Sequence, residues 1–222
     1  MLKMKNITKL FLYLNLCLTL LACSKISPKG EIEVKDVTVE NFTKLNLKGD
    51  FKVFFAKGNQ NLVSVETYPN VYKNLDIEVE NGILTIEENR KTDQVDFYNI
   101  TIFGKNDLNE VSLSDKVEMN VSGQVKTPEF SLHLKGNSKF MGAVIAPKSK
   151  IEMAEKSNAN ILGETKNLNL KLADSASIMA PYFYVENLEI LSKNGASAGL
   201  NIDQEMKGTL ENTSKLIFYG EP

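Results

Sequence analysis

Between Phe130 and Leu216 one short phrase recurs: alternating apolar residues, a small polar corner, then another short apolar run. Phe130, Leu132 and Leu134 lead into Gly136-Asn137-Ser138-Lys139-Phe140, and Ile151 and Met153 lead into Lys156-Ser157-Asn158-Ala159-Asn160-Ile161. Leu168, Leu170 and Leu172 lead into Asp174-Ser175-Ala176-Ser177-Ile178. Leu188 and Ile190 lead into Asn194-Gly195-Ala196-Ser197-Ala198, and Leu210 into Asn212-Thr213-Ser214-Lys215-Leu216. With Ser138, Ser157, Ser175, Gly195 and Thr213 as equivalent corners, the spacings are 19, 18, 20 and 18 residues. Apolar residues at every second position mark half-buried strands, and a unit of about 20 residues cannot bury its own apolar face, so units must stack. These features predict an all-β fold, a parallel β-helix or β-solenoid-like coil with rungs of about 20 residues. A β-sandwich of hairpins shares the alternation but not the constant period. A less regular copy from Val111 and Leu113 through Asp115 to Val117 brings the count to six, a coil about 25 Å long at a strand spacing near 4.8 Å.

Upstream the pattern loosens. Residues 31–107 carry alternating runs such as Leu45 and Leu47, Phe51, Val53 and Phe55, Leu84 and Ile86, and Ile100 and Ile102, with no fixed period. They predict less regular N-terminal strands, the repeated rungs occupying 108–222. Asn81-Gly82 between two such runs predicts a tight turn, because primed hairpin turns need positive φ. Tyr68 to Leu75 has room for a turn or one short helix.

The first thirty residues are of another kind. Lys3, Lys5 and Lys9 precede an apolar stretch from Leu10 to Ala22, the charge-then-apolar order of a secretory signal. As a helix it would rise about 20 Å, short of a membrane crossing. Leu20-Leu21-Ala22-Cys23-Ser24 resembles a bacterial lipobox, which implies cleavage before Cys23 and its lipidation. Two or more acyl chains would hold the protein stably on a membrane. The expected organisation is a lipoprotein signal at 1–22, lipidated Cys23 and a polar spacer at 23–30, and one all-β domain at 31–222. Because Cys17 and Cys23 are the only cysteines, the domain has no disulfide, thiolate metal site or cysteine nucleophile, and packing must hold it together.

The charges, 26 basic against 28 acidic, are evenly spread, so no basic field for nucleic acid exists. The single histidine, His133, is placed by alternation on the outward face with Ser131 and Lys135, and no convergent partners signal a metal or a catalytic base. Glycoside hydrolysis needs two carboxyls about 5 to 10 Å apart; Glu87 with Glu88 and Asp93 with Asp96 stand close in sequence, as any acidic surface offers by chance. One arginine, Arg90, and no Trp leave little for uronate recognition or sugar stacking. Tyr182, Tyr184, Phe97 and Tyr98 are read as core or rung-stacking residues, with an exposed binding strip as the alternative. Asp174-Ser175-Ala176 also resembles an O-glycosylation acceptor.

The corners, the Leu-x-Leu-x-Leu strands and the ending Leu216-Ile217-Phe218-Tyr219-Gly220-Glu221-Pro222 together resemble the head GIN domain family of auto-transporter adhesins, common among lipoproteins of Bacteroidota. The opening run Phe42 to Val53 and the later Gly82-Ile83-Leu84-Thr85-Ile86 resemble the family's strand pairs. The third corner, Glu155-Lys156-Ser157-Asn158, departs by lacking Gly. The resemblance spans about Glu31 to Pro222 and implies a coil of parallel strands, with no catalytic residues and no cofactor to carry over. The function expected is a lipid-anchored envelope protein, an adhesin or binding or structural module without catalysis, held at the outer membrane through Cys23 and meeting a polysaccharide or protein. A glycan-active enzyme on a β-helix, or an envelope sensor or assembly factor, is the alternative.

Overall fold

The structure is a computed structural model that describes residues 25–222. The signal segment and the lipidation expected at Cys23 lie outside these residues. The domain is a β-solenoid of about six turns, with less regular strands at its N-terminal end. It has two sheets. The front sheet runs β1 (Glu33–Thr38), β4 (Leu62–Thr67), β7 (Asn99–Gly104), β3 (Lys52–Lys57), β9 (Glu118–Lys126), then the first halves of β11 (Lys139–Met153), β12 (Asn158–Leu172), β13 (Ser177–Ser192) and β14 (Ser197–Leu210), and last β15 (Lys215–Tyr219). The back sheet runs β5 (Leu75–Glu80), β6 (Ile83–Glu88), β2 (Lys44–Gly49), β8 (Glu110–Asp115), β10 (Glu129–Leu134), then the second halves of β11 to β14. Each long strand passes from front to back at a point the ladder skips, Pro147, Lys166 or Glu186.

From β8 on, each turn pairs in parallel with the next, and the register stacks like on like. Leu132, Ile151, Leu170 and Ile190 form one inward column, continued upstream by Val111, Leu45 and Leu84. All seven are at most 4% exposed. Burying such a side chain contributes about 1.5–3 kcal/mol relative to leaving it in water, so a few columns suffice where no disulfide exists.

The N-terminal irregularity has a topological cause. The β2/β3 rung lies between the β6/β7 rung and the β8/β9 rung, since Lys44 registers with both Ile83 and Glu110. The chain therefore lays down an inner rung, leaves, adds a rung outside it, and returns. The connecting strands close this end in antiparallel pairs, β5 on β6, β4 on β7 and β1 on β4. The β5–β6 turn falls at Asn81 and Gly82, with φ of 52° and 75°, as the sequence predicts. The short helix is α1 (Pro69–Tyr72), started by Pro69 and seated by buried Val71. Residues 25–30 dock beside it: Ile26 exchanges backbone hydrogen bonds with Lys91 and Asp93, and Asn70 bonds both Lys29 and Ser27.

The corner alignment shifts by one residue in its last three members. Positive φ falls at Gly136, Glu155, Asp174, Asn194 and Asn212, and two residues later stand Ser138, Ser157, Ala176, Ala196 and Ser214, the first four of them fully buried inside the bend. Ser175, Gly195 and Thr213 are instead the second turn residue, facing outward. The repeated requirement is thus a left-handed backbone followed by a small inward side chain, and Ser and Ala meet it equally. Glu155 takes the place of a glycine in that conformation, with φ of 63°.

Candidate binding face

Alternation leaves each sheet an outward face, and the two differ in chemistry. On the back sheet the outward ladders carry opposite charges. Lys44 pairs with Glu110 at 3.1 Å, Lys148 with Glu129 at 2.9 Å, and Glu152 with Lys150 at 3.1 Å and Lys171 at 3.3 Å. Partial burial pushes the Glu152 carboxyl upward, but the two lysines outweigh it and hold it below its ordinary value. His133 lies on this face as expected, with Nδ1 3.3 Å from Glu152. A shallow depression of about 640 Å³ runs along it past Ser131, Lys148, Asn167, Asn187 and Lys207. Its charges neutralise one another across rungs, as stacked opposite charges in neighbouring strands do.

The front sheet has such pairs too, Lys139 with Glu118 at 2.6 Å, but it also carries outward apolar residues. One outward column reads Phe54, Asn120, Met141 and Asn160 and, beyond the β12–β13 register shift, Met179, Gly199 and Ile217. Phe54, Met141, Met179 and Ile217 are between 47% and 55% exposed. Beside it stand Leu162, Tyr182, Tyr184 and Tyr219, at 41%, 65%, 56% and 46%. From β3 to β15 this strip crosses six strand spacings, about 29 Å. Amides of Asn120 and Asn160 interrupt it. Single exposed apolar residues are ordinary, but Met141, Leu162, Met179, Tyr182 and Tyr184 gather on the neighbouring strands β11 to β13, and such clusters are what interaction surfaces carry.

Local sequence produces this. Tyr182 follows Pro181, where the β13 ladder shifts register against both β12 and β14; the bulge turns Tyr182 to the same side as Tyr184, while Phe183 between them is fully buried. A bulge re-aims a side chain this way because it places two residues opposite one. The expectation that Tyr182, Tyr184 and Phe97 are core residues is therefore corrected: all three are exposed, Phe97 at 46%. Tyr98 is buried, packed on Phe51 with ring centroids 5.4 Å apart.

Of the four candidate catalytic carboxylates, Asp96 is exposed and the other three have partners. Glu87 binds Lys48 at 2.5 Å and Asp93 binds Lys25 at 3.1 Å. Glu88 turns inward, accepting hydrogen bonds from the Asp50 backbone N–H at 3.0 Å and the Thr92 hydroxyl at 3.0 Å. Burial raises its carboxyl above the ordinary value. Burial, with Glu88 nearby, likewise pushes the Tyr98 phenol upward. These hydrogen bonds pin the 89–98 connection to the β2/β3 corner. Among the described residues no cluster of His, Cys, Asp and Glu suits a metal ion, and no helix is long and apolar enough to cross a membrane. Ser175 sits exposed at a corner tip.

The fold is shared with solved structures. A "putative adhesin" from Bacteroides fragilis superposes with a TM-score of 0.72 at 14% identity, covering 88% of this chain and 97% of that one. A "putative lipid binding protein" from Parabacteroides distasonis gives 0.63 at 17% identity, covering 89% and 98%. A "putative adhesin" from Parabacteroides merdae gives 0.62 at 15% identity, covering 90% and 98%. No curated protein matches the chain. Residues 41–222 match the model of the family described as "Putative auto-transporter adhesin, head GIN domain", and the chain belongs to that family.

Proposed function

We propose that this protein is a lipid-anchored binding module of the bacterial envelope, tethered through Cys23 at the outer membrane and presenting the front sheet to a polymer or protein ligand without catalysis. The observation that carries the reading is the aromatic and thioether strip on one face, set against the charge-neutralised face behind it. Tyr and Met supply large apolar area with adaptable geometry, and intervening Asn amides supply directional hydrogen bonds. Sugar rings and protein surfaces both reward that combination. The family description and the adhesin names of two structural neighbours agree with it.

The tether supports display. Residues 25–30 dock at the end closed by α1 and β5, so a lipid on Cys23 is attached two residues before a fixed point. The C-terminal rung stands at the other end, seven strand spacings or about 34 Å from β7. The front sheet then runs along the length of the module from that end.

The test has two arms. Palmitate labelling of cells expressing the full chain is expected to vanish in Cys23→Ser, and labelling that persists refutes the anchor. Glycan-array and cell-binding measurements on the chain from Lys25 onward should give binding that falls at least about ten-fold in Tyr182→Ser/Tyr184→Ser, since truncating two aromatic anchors of an interface costs about 2 kcal/mol or more. Binding unchanged in that variant removes the front sheet as the site.

A further inference from the structure

Two outward columns of the front sheet share one rhythm. The first reads Thr101 on β7, Phe54 on β3, Asn120 on β9, Met141 on β11 and Asn160 on β12, then Met179, Gly199 and Ile217 on β13 to β15. Asn160 and Met179 each stand one residue past the paired Ala159 and Ile178, where the register shifts. The second column reads Lys126 on β9 and Ile145 on β11, then Glu164, Tyr184, Asn201 and Tyr219 on β12 to β15. In both, a large apolar side chain stands on β11, β13 and β15, joined in the first column by β3. A polar residue or glycine stands on the strands between. Leu162, on β12 between the columns, departs from this order. The columns are four residues apart on β11 and β12 but only two apart on β14 and β15, about 7 Å, because β13 bulges between Met179 and Tyr184. Folding alone does not ask for alternation from rung to rung. The inward column Leu132, Ile151, Leu170 and Ile190 is apolar on every rung, and the outward back-sheet column Glu129, Lys148, Asn167, Asn187 and Glu205 is polar on every rung.

We propose that, given the front sheet as the binding face, this rhythm seats a neutral, linear β-1,4-linked polysaccharide lying along the solenoid axis. The apolar side chains recur every second rung, about 9.6 Å. An extended β-1,4-linked pyranose chain turns alternate rings over, so every second sugar presents the same face, and its disaccharide repeat is close to that length. One set of rings rests its apolar C–H face on Met141, Met179 and Ile217, with Tyr184 and Tyr219 closing on the chain where the columns converge. Thioethers and aromatic rings both suit such a face. The inverted rings lie over the intervening rungs, where the amides of Asn160 and Asn201 donate to and accept from hydroxyl groups. From β11 to β15 the track spans four strand spacings, about 19 Å, or about four sugars, and Phe54 and Asn120 extend it by two more. An extended peptide lacks the period, since its side chains return to one face about every 6.7 Å. Charge narrows the class further. The first column has no charged residue from Thr101 to Ile217 and the second has one of each sign, Lys126 and Glu164, so the face complements a neutral chain and gives a polyanion no attraction.

The chain from Lys25 onward carries every strand, and calorimetric titration of it with oligosaccharides of one length and different linkage is the test. Cellohexaose or fully N-acetylated chitohexaose should bind at least about ten-fold more tightly than maltohexaose and laminarihexaose, whose α-1,4 and β-1,3 linkages curl the chain away from this period. Affinity should fall stepwise as the β-1,4 chain is shortened to a disaccharide. A variant that keeps the composition of the face but breaks its order, Asn160→Met/Met179→Asn/Glu164→Tyr/Tyr184→Glu, should lose at least about ten-fold in affinity with unchanged far-ultraviolet circular dichroism. Equal binding of the three linkages, no binding of either β-1,4 hexamer, or full binding by the reordered variant overturns the proposal. If a different ligand binds and is lost in Tyr182→Ser/Tyr184→Ser, the front sheet stands as the binding face and the β-1,4 assignment falls. If that ligand binds the tyrosine variant unchanged, the face falls and the assignment with it.

Discussion

Gly163 and Gly82 share a residue type and a positive φ, yet substituting them should cost very different amounts. Gly82, φ 75°, closes the β5–β6 turn, and a Cβ added there meets nothing within 4 Å. Gly163, φ 109°, lies in β12 at the register shift against β13, and a Cβ there would stand 2.1 Å from the Val144 carbonyl oxygen of the previous rung. For Gly82→Ala the cost is backbone strain alone, about 1–2 kcal/mol. Gly163→Ala carries comparable strain of about 1–3 kcal/mol. It must also move the β11 backbone by about 1 Å to reach an ordinary Cβ–oxygen separation, and that breaks or stretches two or so ladder hydrogen bonds worth about 0.5–1.5 kcal/mol each. The sum is about 2–6 kcal/mol, against about 1–2 for Gly82→Ala. Urea unfolding followed by circular dichroism measures both variants under one condition. If the two cost the same within error, the β11 backbone does not press on Gly163 and the close stacking of these two rungs is wrong.

The Ser192 hydroxyl is fully buried among Leu172, Ile190 and Leu210 neighbours and has no hydrogen-bond partner. Ser192→Ala should therefore stabilise the domain by about 1 kcal/mol, and a lower urea midpoint would contradict this. Glu88 has its carboxyl raised by burial, so its proton is held more tightly folded than unfolded. Its stabilising share is complete below the unfolded value near 4.5 and is lost as pH rises through the folded value. Glu88→Gln should accordingly gain on the wild type between pH 4 and pH 7, and a stability gap that does not change over that range refutes the assignment. Glu152 behaves oppositely, because its lowered carboxyl contributes above the unfolded value and loses that share as pH falls through the folded one. Glu152→Gln should lose most against the wild type at neutral pH and least in acid, read by the same titration of unfolding midpoints.

Period and alternation made the solenoid legible because both follow from local geometry: strand side chains alternate, and a turn of fixed length returns the chain to the same column. The inward corner residue was missed because the eye aligns Ser175 with Ser138, whereas the bend selects for smallness, which Ala176 satisfies as well. The placement of β2/β3 inside β6/β7 was not legible at all. Nothing local distinguishes an inner rung from an outer one, since both need the same apolar columns; only the pairing of Lys44 with two partners does.

The binding face was legible in principle, through a signal that ordinary pattern reading discards. A half-buried strand should read apolar, polar, apolar. Val53-Phe54-Phe55, Ile178-Met179-Ala180, Phe183-Tyr184-Val185 and Leu216-Ile217-Phe218 instead have an apolar residue at the outward position. Each looks like a better strand, and the extra apolar residue is easily read as one more core position, as with Tyr184. Once the parity of neighbouring rungs is fixed by unambiguous strands such as Leu168-Asn169-Leu170-Lys171-Leu172, those middle residues must face water. A strand that needed only to fold would have placed a polar residue there, as the back sheet does with Ser112, His133, Glu152 and Lys171 before its column ends on exposed Leu191. The outward apolar residue adds nothing to the core and costs solubility, a cost that the ligand binding proposed for this face would recover.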